Sequence, residues 1–157
     1  MNMLTLTTRI VAHKGDATET LLREYLRSED AVADREIRVL FNHILVANRF
    51  WSALIRGVAF DVEHEVQADR APAELPAAFR EVQADELAWL AAASEADLAR
   101  EVTQPMIPGG TCSIAEAFAQ VCLHTHGHRA QIMKMLRRHG IAPSAHDFIL
   151  WLAAQGK

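Results

Sequence analysis

The chain has 157 residues, enough for one domain that buries roughly two-thirds of its unfolded surface. Half of the residues are hydrophobic, 23% are charged and the formal net charge is -4, which excludes a disordered polyelectrolyte and gives no electrostatic basis for binding nucleic acid or an anionic membrane. The opening "MNMLTLTTRIVAHKGD" has no basic region ahead of an apolar run, and no stretch of about eighteen apolar residues occurs, so a single cytoplasmic domain over 1–157 is expected.

Segments rich in Ala, Leu, Arg and Glu predominate and β-branched alternation is scarce, which predicts an all-α fold. A first helix is predicted from Leu4 to about Arg27, loosened at Gly15. "SEDAVAD" reads as a connection whose Asp34 caps a second helix, Asp34 to Arg56, stopped by Gly57. "VAFDVEHEVQADRAPAELP", with two prolines and mixed charges, reads as a long crossover loop, after which Pro76 opens a third helix to about Ala93. "SEADLARE" extends it by a turn, and "VTQPMIPGGT" is a loop or a short extended segment. Ser113 and Glu116 form a capping box that opens a fourth helix to His139, ended by Gly140. In the tail, Phe148, Ile149, Trp151 and Leu152 are expected to dock on the rest. Four long helices with a long crossover between the second and third predict a four-helix bundle, a less regular all-α fold being the alternative.

Cys112 and Cys122 lack C-x-x-C spacing and read as small buried apolar residues. The chemistry is concentrated in "CLHTHGHRAQ". At about 100° per residue His128 lies one turn beyond His124 on the same face, with Ala117, Val121, Ile132 and Met135 nearby, whereas His126 is rotated about 200° away. A histidine pair four apart can present two imidazole nitrogens to one metal. On the second helix Leu40, Ala47, Phe50, Trp51 and Leu54 lie within about 80° of His43, while Arg35, Arg38, Asn42, Arg49 and Arg56 gather opposite. His43 is thus expected to face inward, either as a core histidine satisfied by a carbonyl or a Tyr, or as a third ligand. If the second and fourth helices are neighbours, His43, His124 and His128 meet as three neutral imidazoles with one position open, the arrangement of catalytic divalent metals. Coordination needs neutral rings, so occupancy is expected to fall below about pH 6.5. His13, His64, His139 and His146 carry no comparable case. Glu-x-x-His motifs, H-E-x-x-H, a phosphate loop and G-x-S-x-G are all missing.

"LFNHILVANRFWSALIRG" together with "AFAQVCLHTHGHRAQIMKMLRRHG" resembles the DinB-like (YfiT-like) superfamily, related to the bacillithiol- and mycothiol-dependent transferases. The helix-two pattern of that family corresponds to Asn42, His43, Asn48, Arg49 and Trp51, and its helix-four pattern to His124, His128, Arg129 and Gln131. The resemblance implies an up-up-down-down bundle, zinc or nickel on three histidines, a low-molecular-weight thiol as possible cofactor, and a homodimer. Asn48 stands where the family usually has Asp, which weakens a pair with Arg129 if that Asp makes one, and Gly127 stands where another histidine is common. The functional expectation is a metal-dependent thiol S-transferase or hydrolase acting on a small molecule. A non-enzymatic bundle in which the metal is structural or absent is the alternative.

Overall fold

Local capping chemistry sets the helix boundaries in a computed structural model of the chain, which describes residues 1–105, 107 and 109–156. Asn2 accepts the backbone N–H of Thr5 and opens α1 (Met3–Tyr25), and Ser28 caps the short α2 (Glu29–Ala33). Asp34 accepts from Glu36 to open α3 (Arg35–Arg56), which Gly57 closes at φ 68°, a left-handed conformation that a residue with a Cβ adopts only with strain. The crossover at 57–74 is not wholly a loop: it contains α4 (Val62–Gln67), capped by Asp61, and a 3-10 turn at Pro72–Glu74 that leads into α5 (Leu75–Ala92). A short α6 (Glu95–Ala99) precedes β1 (Glu101–Thr103) and β2 (Thr111–Ser113), which pair antiparallel with Val102 opposite Cys112. The Ser113–Glu116 capping box then starts α7 (Ile114–Arg138), and Asp147 caps α8 (Phe148–Gln155).

Four long helices form the bundle, α1 packing on α5 and α7, and α3 on the same two. Their directions follow from the cross-helix contacts. Asp34 at the start of α3 meets His139 at the end of α7, so these two are antiparallel. Lys14 with Glu86 and Glu19 with Arg80 make α1 and α5 antiparallel, whereas Arg49 with Glu81 and Arg56 with Asp85 make α3 and α5 parallel. The order is therefore up-down-down-up, not up-up-down-down. Residues 26–34, which contain α2, cannot return along the roughly 34 Å of α1, so α3 must run back, whereas the crossover at 57–74 is long enough to leave α3 and α5 parallel.

Two apolar clusters fill the interior. One holds Leu21, Leu22, Tyr25, Phe41, Phe79 and Leu136. The other holds Val11, Ile55, Leu90, Leu98, Ile114 and Phe118. Between them every long helix contributes buried polar groups: Lys14 and Thr18 from α1, Asn48 and Ser52 from α3, Glu86 from α5, Thr125 and Arg129 from α7. Gly15 does not loosen α1, which runs through it without a break. A Cβ there would sit 2.4 Å from Cδ of Gln83, whose amide donates to the Val11 carbonyl at 2.8 Å. The glycine serves the close approach of α5.

The tail docks by fewer residues than expected. Phe148 and Trp151 stand edge-on to the His13 ring at 5.4 and 5.7 Å, His13 Nε2 donates to the His146 carbonyl at 3.0 Å, and Trp151 donates to Asp16 at 2.7 Å. Ile149 points outward and is exposed. Among the described residues no helix is long and apolar enough to cross a membrane.

Candidate metal centre

The seam between α3 and α7 brings the three histidines together. His43 Nε2 lies 3.1 Å from His124 Nε2, His128 Nε2 lies 3.2 Å from the same atom, and one ligand atom from each of the three falls within 4.8 Å of the others. The ring centroids are 4.4 to 4.9 Å apart. Among the described residues no carboxylate shares the cluster, and a single bridging proton can satisfy only one pair of these nitrogens at a time. One cation can satisfy all three. Tetrahedral coordination at about 2.0–2.1 Å places ligand nitrogens about 3.3 Å apart, close to both observed separations, so the three residues fit a divalent metal.

The depth of the site departs from expectation. His43 is exposed, and His124 and His128 are half-buried, so the cluster lies in the outer seam and not in the bundle interior. The cause is visible on α3: its buried residues Phe41, Ile44, Leu45, Asn48 and Ile55 centre roughly 140° from His43 at 100° per residue. The stripe around His43, with Val46, Ala47, Phe50 and Trp51, instead walls an open cavity of about 690 Å³ that His43 and His124 also line. Val62 and Val66 of the crossover and Cys112 of β2 also line it.

Burial and mutual repulsion favour the neutral form of His124 and His43. Burial, then the neighbouring His128 and His43, push His124 down to about 4, and burial with His128 also lowers His43. His128 Nδ1 donates to Gln131 Oε1 at 3.0 Å, which fixes the tautomer and turns the Nε2 lone pair toward the other rings. His124 Nδ1 is buried without a hydrogen-bond partner among the described residues. Glu116 lines the same cavity, but it is eight residues before His124, about 12 Å along the axis. It accepts the Ser113 N–H and hydroxyl, which hold its carboxyl below the usual range.

The remaining histidines lie elsewhere: His126 and His64 are exposed, His139 pairs with Asp34 at 2.9 Å, and His13 and His146 belong to the tail contact. No hydrogen bond joins Asn48 to Arg129 among the described residues. Asn48 accepts from Lys14 Nζ at 2.6 Å and donates to the Ile44 carbonyl and to Thr125 Oγ1, both at 2.8 Å, while Arg129 donates to the Lys14 carbonyl at 3.1 Å. Lys14 also pairs with Glu86 at 2.5 Å, both fully enclosed. Cys122 is buried and its thiol is pushed up to about 11, and burial likewise raises Cys112, so neither is a thiolate near neutrality. Sequence reasoning missed the Lys14–Glu86 pair; its signal is the spacing Val11, Lys14, Thr18, Leu21, Tyr25, which puts a charge inside a core stripe.

An all-α bundle with a three-histidine cluster on facing helices defines a class of helical proteins able to hold a metal between two rods. The DinB superfamily profile matches residues 11–132, which include the cluster, and the chain belongs to that superfamily. No curated protein and no solved structure matches the chain.

Proposed function

We propose that His43, His124 and His128 bind one divalent cation, zinc or nickel, and that the protein is a metal-dependent enzyme of the thiol S-transferase type, with hydrolysis as the variant in which water replaces the thiol. The observation that carries this reading is the convergence of three imidazole nitrogens, with no carboxylate in the cluster among the described residues, at the mouth of an apolar cavity. A divalent cation there supplies Lewis acidity that favours thiolate over thiol, or hydroxide over water, near neutral pH. The protein's own groups do the rest. Gln131 orients His128. Phe50, Trp51 and Val46 take up the apolar body of an electrophile and exclude water from it. The sulfur forms a bond to the electrophilic carbon, the leaving group departs with the electron pair, and the thiol proton passes to solvent.

A purely structural metal is disfavoured because both apolar clusters close without the cluster, which lies outside them. The test is elemental analysis of the purified protein and of the three single His→Ala variants, with conjugation of a small thiol to a chromogenic aryl halide measured alongside. One equivalent of metal in the parent, loss in each variant, and conjugation that follows metal content are expected. A parent protein that binds neither zinc nor nickel at micromolar concentration ends the proposal.

A further inference from the structure

The histidine cluster divides the α3–α7 seam into two unlike halves. Toward the end of α3 and the start of α7 lies the apolar cavity, which no lysine or arginine lines among the described residues. Toward the start of α3 and the end of α7 lies a second groove, of about 470 Å³, and His43 lines both. Its walls include Leu40 of α3 and Met135 of α7, but its rim carries Lys134 and Arg138 against the single acid Glu36. Lys134 and Arg138 are one turn apart on α7, both exposed, and neither enters a salt bridge among the described residues, whereas Arg38, Arg49, Arg56, Arg70 and Arg80 all do. A helix C-terminus favours cations by itself. Arg137 occupies that same last turn without lining the groove, so the dipole alone does not account for a pair directed along one seam.

We propose that this groove binds the carboxylate end of an anionic small molecule, with Lys134 and Arg138 as its anchors, so that two reactants of unlike polarity approach the histidines from opposite sides. The inference rests on the metal-site reading above and assigns the polar reactant its place. The axial rise from His128 to Lys134 is about 9 Å and to Arg138 about 15 Å. A helical side chain leans toward the N-terminus of its helix, which brings both cations back toward the cluster. A molecule the size of a tripeptide can therefore place a thiol at the histidines and a carboxylate on Lys134 or Arg138. Among the described residues the apolar cavity offers such a molecule no lysine or arginine, and the carboxylate of Glu116 on its wall repels it.

The test uses the zinc-loaded protein, with glutathione and glutathione diethyl ester as probes and calorimetric affinity as the readout. Both thiols are expected to bind, the free acid about three- to tenfold more tightly at low salt, the range that two exposed ion pairs sustain. The double substitution Lys134→Gln, Arg138→Gln is expected to bring glutathione down to the affinity of the ester and to leave the ester unchanged. Glu36→Gln is expected to strengthen glutathione alone, and added salt to weaken glutathione alone. If both thiols bind the parent equally, or if the preference for the acid survives the double substitution, the groove is not the anion site while the thiol reading stands. If neither thiol binds, the thiol reading falls and this inference falls with it.

Discussion

Two polar clusters share α3 and α7 and differ in what surrounds them. Thr125 follows His124 and Arg129 follows His128, so a rotation of about 100° separates an outward cluster from an inward one. The inward cluster is largely self-sufficient: Lys14 meets Glu86 and Asn48, Asn48 meets Thr125, and Arg129 meets the Lys14 carbonyl. The outward cluster consists of three imidazoles whose Nε2 atoms face one another, with Gln131 on His128 as its side-chain partner outside the trio among the described residues. Groups sealed from water must find partners within the chain, whereas groups on a seam can wait for one from outside. One cluster holds the helices in register and the other is left for a ligand.

Breaking the inward cluster has the largest expected effect. Glu86→Ala leaves the Lys14 ammonium buried without its counter-charge and costs about 3–5 kcal/mol of stability in urea denaturation. The paired replacement Lys14→Met, Glu86→Leu removes both charges and recovers most of that loss. A cost below about 1 kcal/mol for Glu86→Ala would show that water reaches the layer and that the contrast drawn above is false.

The outward cluster gives the opposite signature. His124→Ala abolishes metal binding but changes the stability of the metal-free protein by no more than about 1 kcal/mol, since a half-exposed ring carries little of the core. Stability and metal content thus separate by cluster, which chelated and metal-loaded samples of both variants would reveal.

Much of this was legible in the chain. Asp34, Gly57 and the Ser113–Glu116 box mark helix ends because capping is local chemistry, and the histidine trio follows from one i, i+4 pair, one isolated histidine and a family resemblance. The depth of the trio was not legible. α3 carries two apolar stripes, one against the core and one along a cavity, and a periodic pattern tells where apolar residues point, not what covers them. Lys14 escaped for a related reason: a charge reads as outward until its partner, 72 residues away, is known. Gly15 looked like a weak point because the cause of its conservation of space, Gln83, lies on another helix.

The pH dependence of metal retention sharpens the contrast further. Proton competition is set by the affinity of the free rings for protons, and His124 is pushed down to about 4 with His43 lowered too. A lowered value means the neutral, coordinating form persists to lower pH. Bound metal is therefore expected to be retained below the ordinary imidazole range near 6.5, since the two lowered rings, His43 and His124, stay neutral there. Dialysis across that range with metal analysis checks it; release complete by pH 6 would mean that the rings are more solvated than the seam allows.

The smallest expected effect is the most selective. His126 lies in sequence between His124 and His128, the two ligands proposed on α7, and is the residue that simple histidine crowding would recruit first. It is exposed, and its direction on the helix is about 200° from His124. His126→Ala is therefore expected to leave metal content unchanged and to shift stability by less than about 0.5 kcal/mol, the range of surface substitutions. The same elemental analysis that separates His124→Ala from the parent decides it. Loss of metal in the His126 variant would mean that α7 presents a different face to α3, and the assignment of both clusters, each fixed by the same helical rotation, would have to be reversed.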